Sequence, residues 1–224
     1  MLANAGFEGE YVRDSGTVLV AAGWMPFWAT GDPPQETQQG PCAMPEYKPL
    51  PRTLDAERVV EGETAQCWFL NWKVMDAGVH QTVEADEGSW YQFSASLQAW
   101  CDKGNDPRVS QGEMYVSLGI DPYGVLEPFR VGVMWSPWQW VSAEHRRLES
   151  PVVLARHTRI TVLVRAWNKW RLRHNDVYVD AARLEEVDVG GGSGPGPAPG
   201  EGVDYGRIRG IVREELRDLS VTLS

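Results

Sequence analysis

Polar and apolar residues alternate with a period of two over much of this chain. In SWYQFSASLQAWC (89–101), Tyr91, Phe93, Ala95, Leu97 and Ala99 alternate with Gln92, Ser94, Ser96, Gln98 and Trp100. A strand here buries the first set and turns the second outward. In EMYVSLGID (113–121) the core set is Met114, Val116, Leu118 and Ile120, with Tyr115, Ser117 and Asp121 opposite. In RITVLVRAW (159–167) it is Ile160, Val162, Val164 and Ala166, with Thr161, Leu163, Arg165 and Trp167 opposite. TVLVAA (17–22), TAQCWFLNW (64–72), AGVHQTVEA (77–85), VSAEHRRLES (141–150) and DVYVDAARLEEV (176–187) carry the same β-branched and aromatic enrichment between Gly, Pro, Asp or Asn signals. Seven or eight strands with no helix between them predict an all-β fold, an antiparallel β-sandwich of jelly-roll topology. GWMPFW (23–28) reads as an aromatic turn. The Pro- and Gln-rich stretch from Asp32 to Thr53 reads as a long ordered loop, because proline removes ladder donors.

The pattern changes at residue 190. GGGSGPGPAPGEG (190–202) is a flexible linker without an apolar anchor, and residues 203–224 return with a helical period. Asp204 is the N-cap of this short C-terminal α-helix, and Ile208, Ile211, Val212, Leu216 and Leu219 form its apolar stripe. So short a helix is marginal alone in water. Its stripe must be buried against copies of itself, against its own sandwich or against another protein, which marks it as an anchor or oligomerisation element. The organisation is thus a sandwich over 1–189, a linker over 190–202 and a helix over 203–224.

Charge and composition narrow the function. A net charge of -10 opposes non-specific attachment to nucleic acid or an anionic membrane, although RAWNKWRLRH (165–174) is locally basic. No apolar run reaches the length of a membrane span, and MLANAGFEGEY lacks the basic and apolar regions of a secretion signal. Cys42, Cys67 and Cys101 show no metal-ligand spacing, and read as buried thiols or at most one bridge. Among the acids, Glu46, Asp76, Glu113 and Asp121 do not single out a catalytic pair, and there is no G-x-S-x-G, H-E-x-x-H or phosphate-cradling loop. His80, His145, His157 and His174 fall on different strands or turns. The chain reads as a binding or structural protein, not an enzyme.

Eleven tryptophans either fill the core or present flat faces to ligands. A pyranose stacks its C–H face on an aromatic ring while its hydroxyls pair with Gln, Asp or Arg. Trp100 with Gln98, Tyr115 with Asp121, and Trp167 with Arg165 supply that mixture, and form a shallow groove if their strands are neighbours. WSPWQW (135–140) is a second surface, for a glycan or protein contact.

ANAGFEGEY, GVHQTVEADEGSWYQFSASLQAW and NDVYVDAARLEEV, in this order, resemble the jelly-roll carbohydrate-binding modules of galactose-binding-like fold, over about residues 2–187. GWMPFW, PEYKPL, GIDPYG and HNDVYVD further resemble uncharacterised extracellular or phage-borne sandwich domains of thermophilic bacteria. The first resemblance implies a glycan-type ligand and a structural calcium held by Glu8 and Asp180 where the first and last strands meet. With the missing secretion signal and the tethered helix, the expectation is a virion-surface protein. A secreted carbohydrate-binding module, or a decoration domain without a glycan ligand, remains open.

Overall fold

The computed structural model describes residues 1–189 except 126, 127 and 130. In chain order its strands are β1 (Tyr11–Ser15), β2 (Val18–Ala21), β3 (Met25–Trp28), β4 (Glu46–Pro51), β5 (Thr64–Phe69), β6 (Asp76–Glu84), β7 (Trp90–Asp102), β8 (Met114–Asp121), β9 (Met134–Trp135), β10 (Gln139–Trp140), β11 (Arg146–Glu149), β12 (Val153–Leu154), β13 (Arg159–Asn168) and β14 (His174–Glu186). The larger sheet runs β1-β2-β4-β5-β14-β7-β11, with β12 also on β7. The smaller runs β10-β8-β13-β6-β3, with β9 on β8. Together they form the expected all-β jelly-roll sandwich. The C-terminal helix lies outside the described residues.

The inner faces follow the alternation. Phe93, Ala95, Leu97 and Ala99 of β7, Met114 to Ile120 at every second residue of β8, and Ile160, Val162, Val164 and Ala166 of β13 are fully buried, joined by Trp68, Val177 and Val179. Tyr47 crosses between the sheets: its hydroxyl donates to the carbonyls of Phe27 (2.8 Å) and Gly78 (3.0 Å). Gly78 has no substitute, since a Cβ there would lie 1.8 Å from the Val164 carbonyl oxygen. Cys42, Cys67 and Cys101 are buried free thiols.

Two stretches depart from the expectation. GWMPFW contributes strand β3. Within the Pro-rich stretch, Glu46–Pro51 is strand β4, inside the larger sheet rather than in a loop. Proline survives there because β4 meets β2 through a single parallel pair, Val18 with Tyr47, and because the buried side chain of Gln66 replaces the missing ladder. Its Oε1 accepts from Ala21 N (2.9 Å), and its Nε2 donates to the carbonyls of Leu19 (3.3 Å) and Lys48 (3.2 Å).

The outer face of the smaller sheet is closed by the segment between β8 and β10. Arg165 of β13 lies in the middle of that face, 8 % exposed, and binds the fully buried Asp76 of β6 through Nε–Oδ1 (2.6 Å) and Nη2–Oδ2 (2.7 Å). Its guanidinium carbon sits 4.7 Å from the Phe129 ring, 5.7 Å from Trp135 and 5.4 Å from Trp138. A buried ion pair gains little over apolar packing, but removing one partner strands the other charge. Asp76→Ala is therefore expected to lower stability by about 3–5 kcal/mol, whereas Asp76→Leu combined with Arg165→Met recovers most of the loss. Urea unfolding midpoints of the two variants check this.

Candidate functional site

The groove drawn from three alternating strands divides in the structure. β7 belongs to the larger sheet and β8 and β13 to the smaller, so Gln98 and Trp100 lie on the opposite outer face from Tyr115, Arg165 and Trp167. Local alternation assigns a face but not a sheet, and the sheets are assigned by pairings distant in sequence. Arg165 and Trp167 lie beneath the covering segment, Trp167 at 6 % exposure. Asp121 is a turn residue: its carboxylate accepts from the amides of Tyr123 (2.9 Å) and Val125 (3.1 Å).

On the outer face of the larger sheet, register sets Gln98 beside Tyr178 and Trp100 beside Asp176. Arg58, from a short 3-10 turn over this face, lies 4.1 Å from the Tyr178 ring and 5.5 Å from Trp100, and donates to Asp55 (2.7 Å) and the Pro107 carbonyl (3.1 Å). Trp100 stacks on His174 with centroids 3.6 Å apart. A cavity of ≈ 520 Å³ adjoins this cluster, bordered by Glu57, Gln98, Arg108 and Glu144. Buried atoms without a partner gather here: Arg58 Nη1, Gln98 Oε1, Trp100 Nε1, His174 Nε2 and Asp176 Oδ1. Burial pushes the Asp176 carboxyl up to about 6, against the hydrogen bond from Tyr178 and the nearby Arg58.

The open site lies at one end of the sandwich, where β7 leaves and β8 and β14 begin. A cleft of ≈ 490 Å³ is bordered by Asp102, Lys103, Gln111, Gly112, Trp170 and Arg171. Two half-exposed indoles are fixed to consecutive residues: Trp140 (48 % exposed) donates Nε1–H to the Gly112 carbonyl (3.0 Å), and Trp170 (40 %) donates to Glu113 Oε2 (2.6 Å). Gly112 is packed so tightly that a Cβ would fall 2.4 Å from Leu172 Cδ1 and 2.5 Å from Cys101 Sγ. A third indole, Trp72 (57 %), sits on the adjoining loop with its amide on the Leu172 carbonyl (2.7 Å) and a left-handed φ of 58°. Bulky residues rarely adopt that conformation, and such strain concentrates where a side chain must be presented.

Glu113, next to Gly112, anchors the cleft-lining Trp170. It accepts from Trp170, from Tyr115 Oη (2.8 Å) and from Lys169 Nζ (3.2 Å), and these donors, Trp170 first, hold its carboxyl below the ordinary range. Asp102 is also held low, chiefly by the amide of Gly104 (2.7 Å), with that of Gln111 (3.1 Å) adding to it. Behind Glu113, Tyr115 stacks on Trp167 (4.6 Å), which meets Trp138 edge-on (6.1 Å). Trp167 is buried here, and Tyr115 lies partly exposed between it and Glu113. Trp72 and Trp170 lie in loops, outside the strand alternation; the signal for them was tryptophan among polar and basic residues in FLNWK and NKWRLR.

Glu8 and Asp180 converge on the loop 60–64. Asp180 accepts from the amides of Val60 (2.7 Å), Glu61 (3.1 Å) and Ala181 (2.6 Å), and Glu8 from those of Glu63 (2.8 Å) and Thr64 (3.1 Å). Amide hydrogens thus meet both Asp180 oxygens and Glu8 Oε1, and the pair brings two carboxylates towards the six to eight oxygens that calcium takes. Among the described residues no group of three or more His, Cys, Asp or Glu could hold a metal ion.

No protein-family model and no curated protein matches the sequence. Among solved structures, TmCBM61, a carbohydrate-binding module in complex with beta-1,4-galactotriose, superposes with a TM-score of 0.53 at 14 % identity, over 83 % of this chain and 97 % of that one. The Stig cyclase Fisc from Fischerella sp. TAU, in complex with an indole ligand, gives 0.52 at 13 %, over 84 % and 98 %. At these identities the likeness establishes the shared sandwich fold.

The Asp176 carboxyl titrates at about 6 when folded, against an ordinary value of 3.8. Between those values the folded state binds more protons than the unfolded, so its contribution to stability falls as pH rises and is fully lost above about 6. Asp176→Asn is thus expected to match wild type near pH 4 and to gain up to about 3 kcal/mol near pH 7.5. Urea titrations at the two pH values test the difference.

Proposed function

We propose that this chain is a non-catalytic carbohydrate-binding protein whose sugar site is the end cleft. The observation that carries the reading is the pair of half-exposed indoles pinned by their N–H groups to Gly112 and Glu113. An indole so held presents a ring face at little entropic cost, and sugar rings stack on such faces while side groups such as Gln111 and Arg171 meet their hydroxyls. TmCBM61, bound to beta-1,4-galactotriose, provides a precedent on the same fold. Asp102 of the cleft and Glu113 beside it are both held low, which suits neither to the role of a general acid. The raised Asp176 lies beneath Arg58, with Oδ1 buried.

Trp170→Ala and Trp140→Ala are each expected to weaken glycan binding about tenfold while leaving the melting temperature nearly unchanged. Calorimetry on a ligand found by glycan array measures this, and failure of the intact protein to bind any glycan would remove the reading.

The sandwich is further proposed to be fastened to a larger assembly, a virion surface, through residues 203–224. The periodic stripe from Ile208 to Leu219 supports this. Deleting residues 190–224 is expected to abolish self-association or particle attachment and to leave glycan binding intact, as read by sedimentation and the same calorimetry.

A further inference from the structure

Resting on the carbohydrate reading of the end cleft, we infer that its preferred ligand is an acidic glycan, one whose sugars carry carboxylates. Lys103 and Arg171 border the cleft, and Lys73 and Arg173 are exposed on the segments beside it. Among the described residues none of these four makes an ion pair, whereas Lys169 is spent on Glu113. The two acids present are both engaged. Asp102 is turned onto the amides of Gly104 and Gln111, and Glu113 onto Trp170, Tyr115 and Lys169.

A chain of net charge -10 thus sets four cations without an ion pair among the described residues, against the carboxylate of Asp102, around its most exposed tryptophans. Free cations at a rim attract anions over about 10 Å at ordinary ionic strength. The Arg171 guanidinium adds a planar fork suited to a carboxylate. Indoles for ring faces and cations for carboxylates is the pairing that a uronic-acid polymer requires. Single-stranded nucleic acid offers similar chemistry, but the acidic remainder of the surface opposes its long phosphate track.

Affinity electrophoresis and calorimetry with polygalacturonate, neutral β-1,4-galactan, dextran sulfate and oligo-dT, using the full chain, test the inference. Polygalacturonate is expected to bind at least about tenfold more tightly than galactan, and to lose that advantage in Lys103→Gln/Arg171→Gln or when salt is raised about tenfold. Trp170→Ala should weaken binding of both sugar polymers about tenfold. Galactan bound as tightly as polygalacturonate, with the double variant unaffected, overturns acidic selectivity and leaves the carbohydrate reading standing. Binding of neither sugar polymer overturns both. Tighter binding of dextran sulfate or oligo-dT, or polygalacturonate binding that Trp170→Ala leaves unweakened, overturns the inference as attraction of any polyanion.

Discussion

The buried pair of Arg165 and Asp76 is the fixed point from which one side of this molecule is built. It neutralises a charge in the middle of the smaller sheet and gathers Phe129, Trp135 and Trp138 over the guanidinium. From there a continuous series of contacts runs outward: Trp138 to Trp167, Trp167 to Tyr115, Tyr115 to Glu113, and Glu113 to the indole of Trp170. Each link sets the orientation of the next, so a surface ring is positioned by a charge pair in the interior.

The two outer faces resolve the same problem differently. Both hold an arginine among aromatic rings, but Arg165 has a bidentate carboxylate, whereas Arg58 has an unpartnered Nη1 and shares its face with four further unpartnered buried atoms. Unmade hydrogen bonds in the interior are costly, so that face is the less settled of the two. Its acidic cavity border, with Glu57 and Glu144, also contrasts with the cationic border of the end cleft.

Much of the fold was legible because alternation reports burial directly. Phe93, Leu118 and Val162 point inward as read, since each sheet has one face against the other. Sheet membership was not legible: β7 pairs with β14, about eighty residues away, and nothing local in SWYQFSASLQAWC encodes it. Strand β4 was hidden by its prolines, whose missing donors are replaced by Gln66 from a neighbouring strand. The site was half legible. Tyr115 and Trp167 were singled out for their chemistry, and the structure stacks them on each other and joins Tyr115 to Glu113, beside the cleft. Trp170 and Trp72 follow no period, and their exposure comes from loop geometry that only the folded chain defines.

The last strand has a directional consequence. β14 starts at His174, beside Asp102 at the cleft end, and its thirteen residues carry the backbone away by roughly 40 Å to Glu186. Met1 and Glu186 border the same surface depression there. The sandwich therefore has an axis: the loops with exposed tryptophan occupy one pole and both ends of the folded chain occupy the other. The backbone thus reaches the end of β14 at the pole opposite those loops.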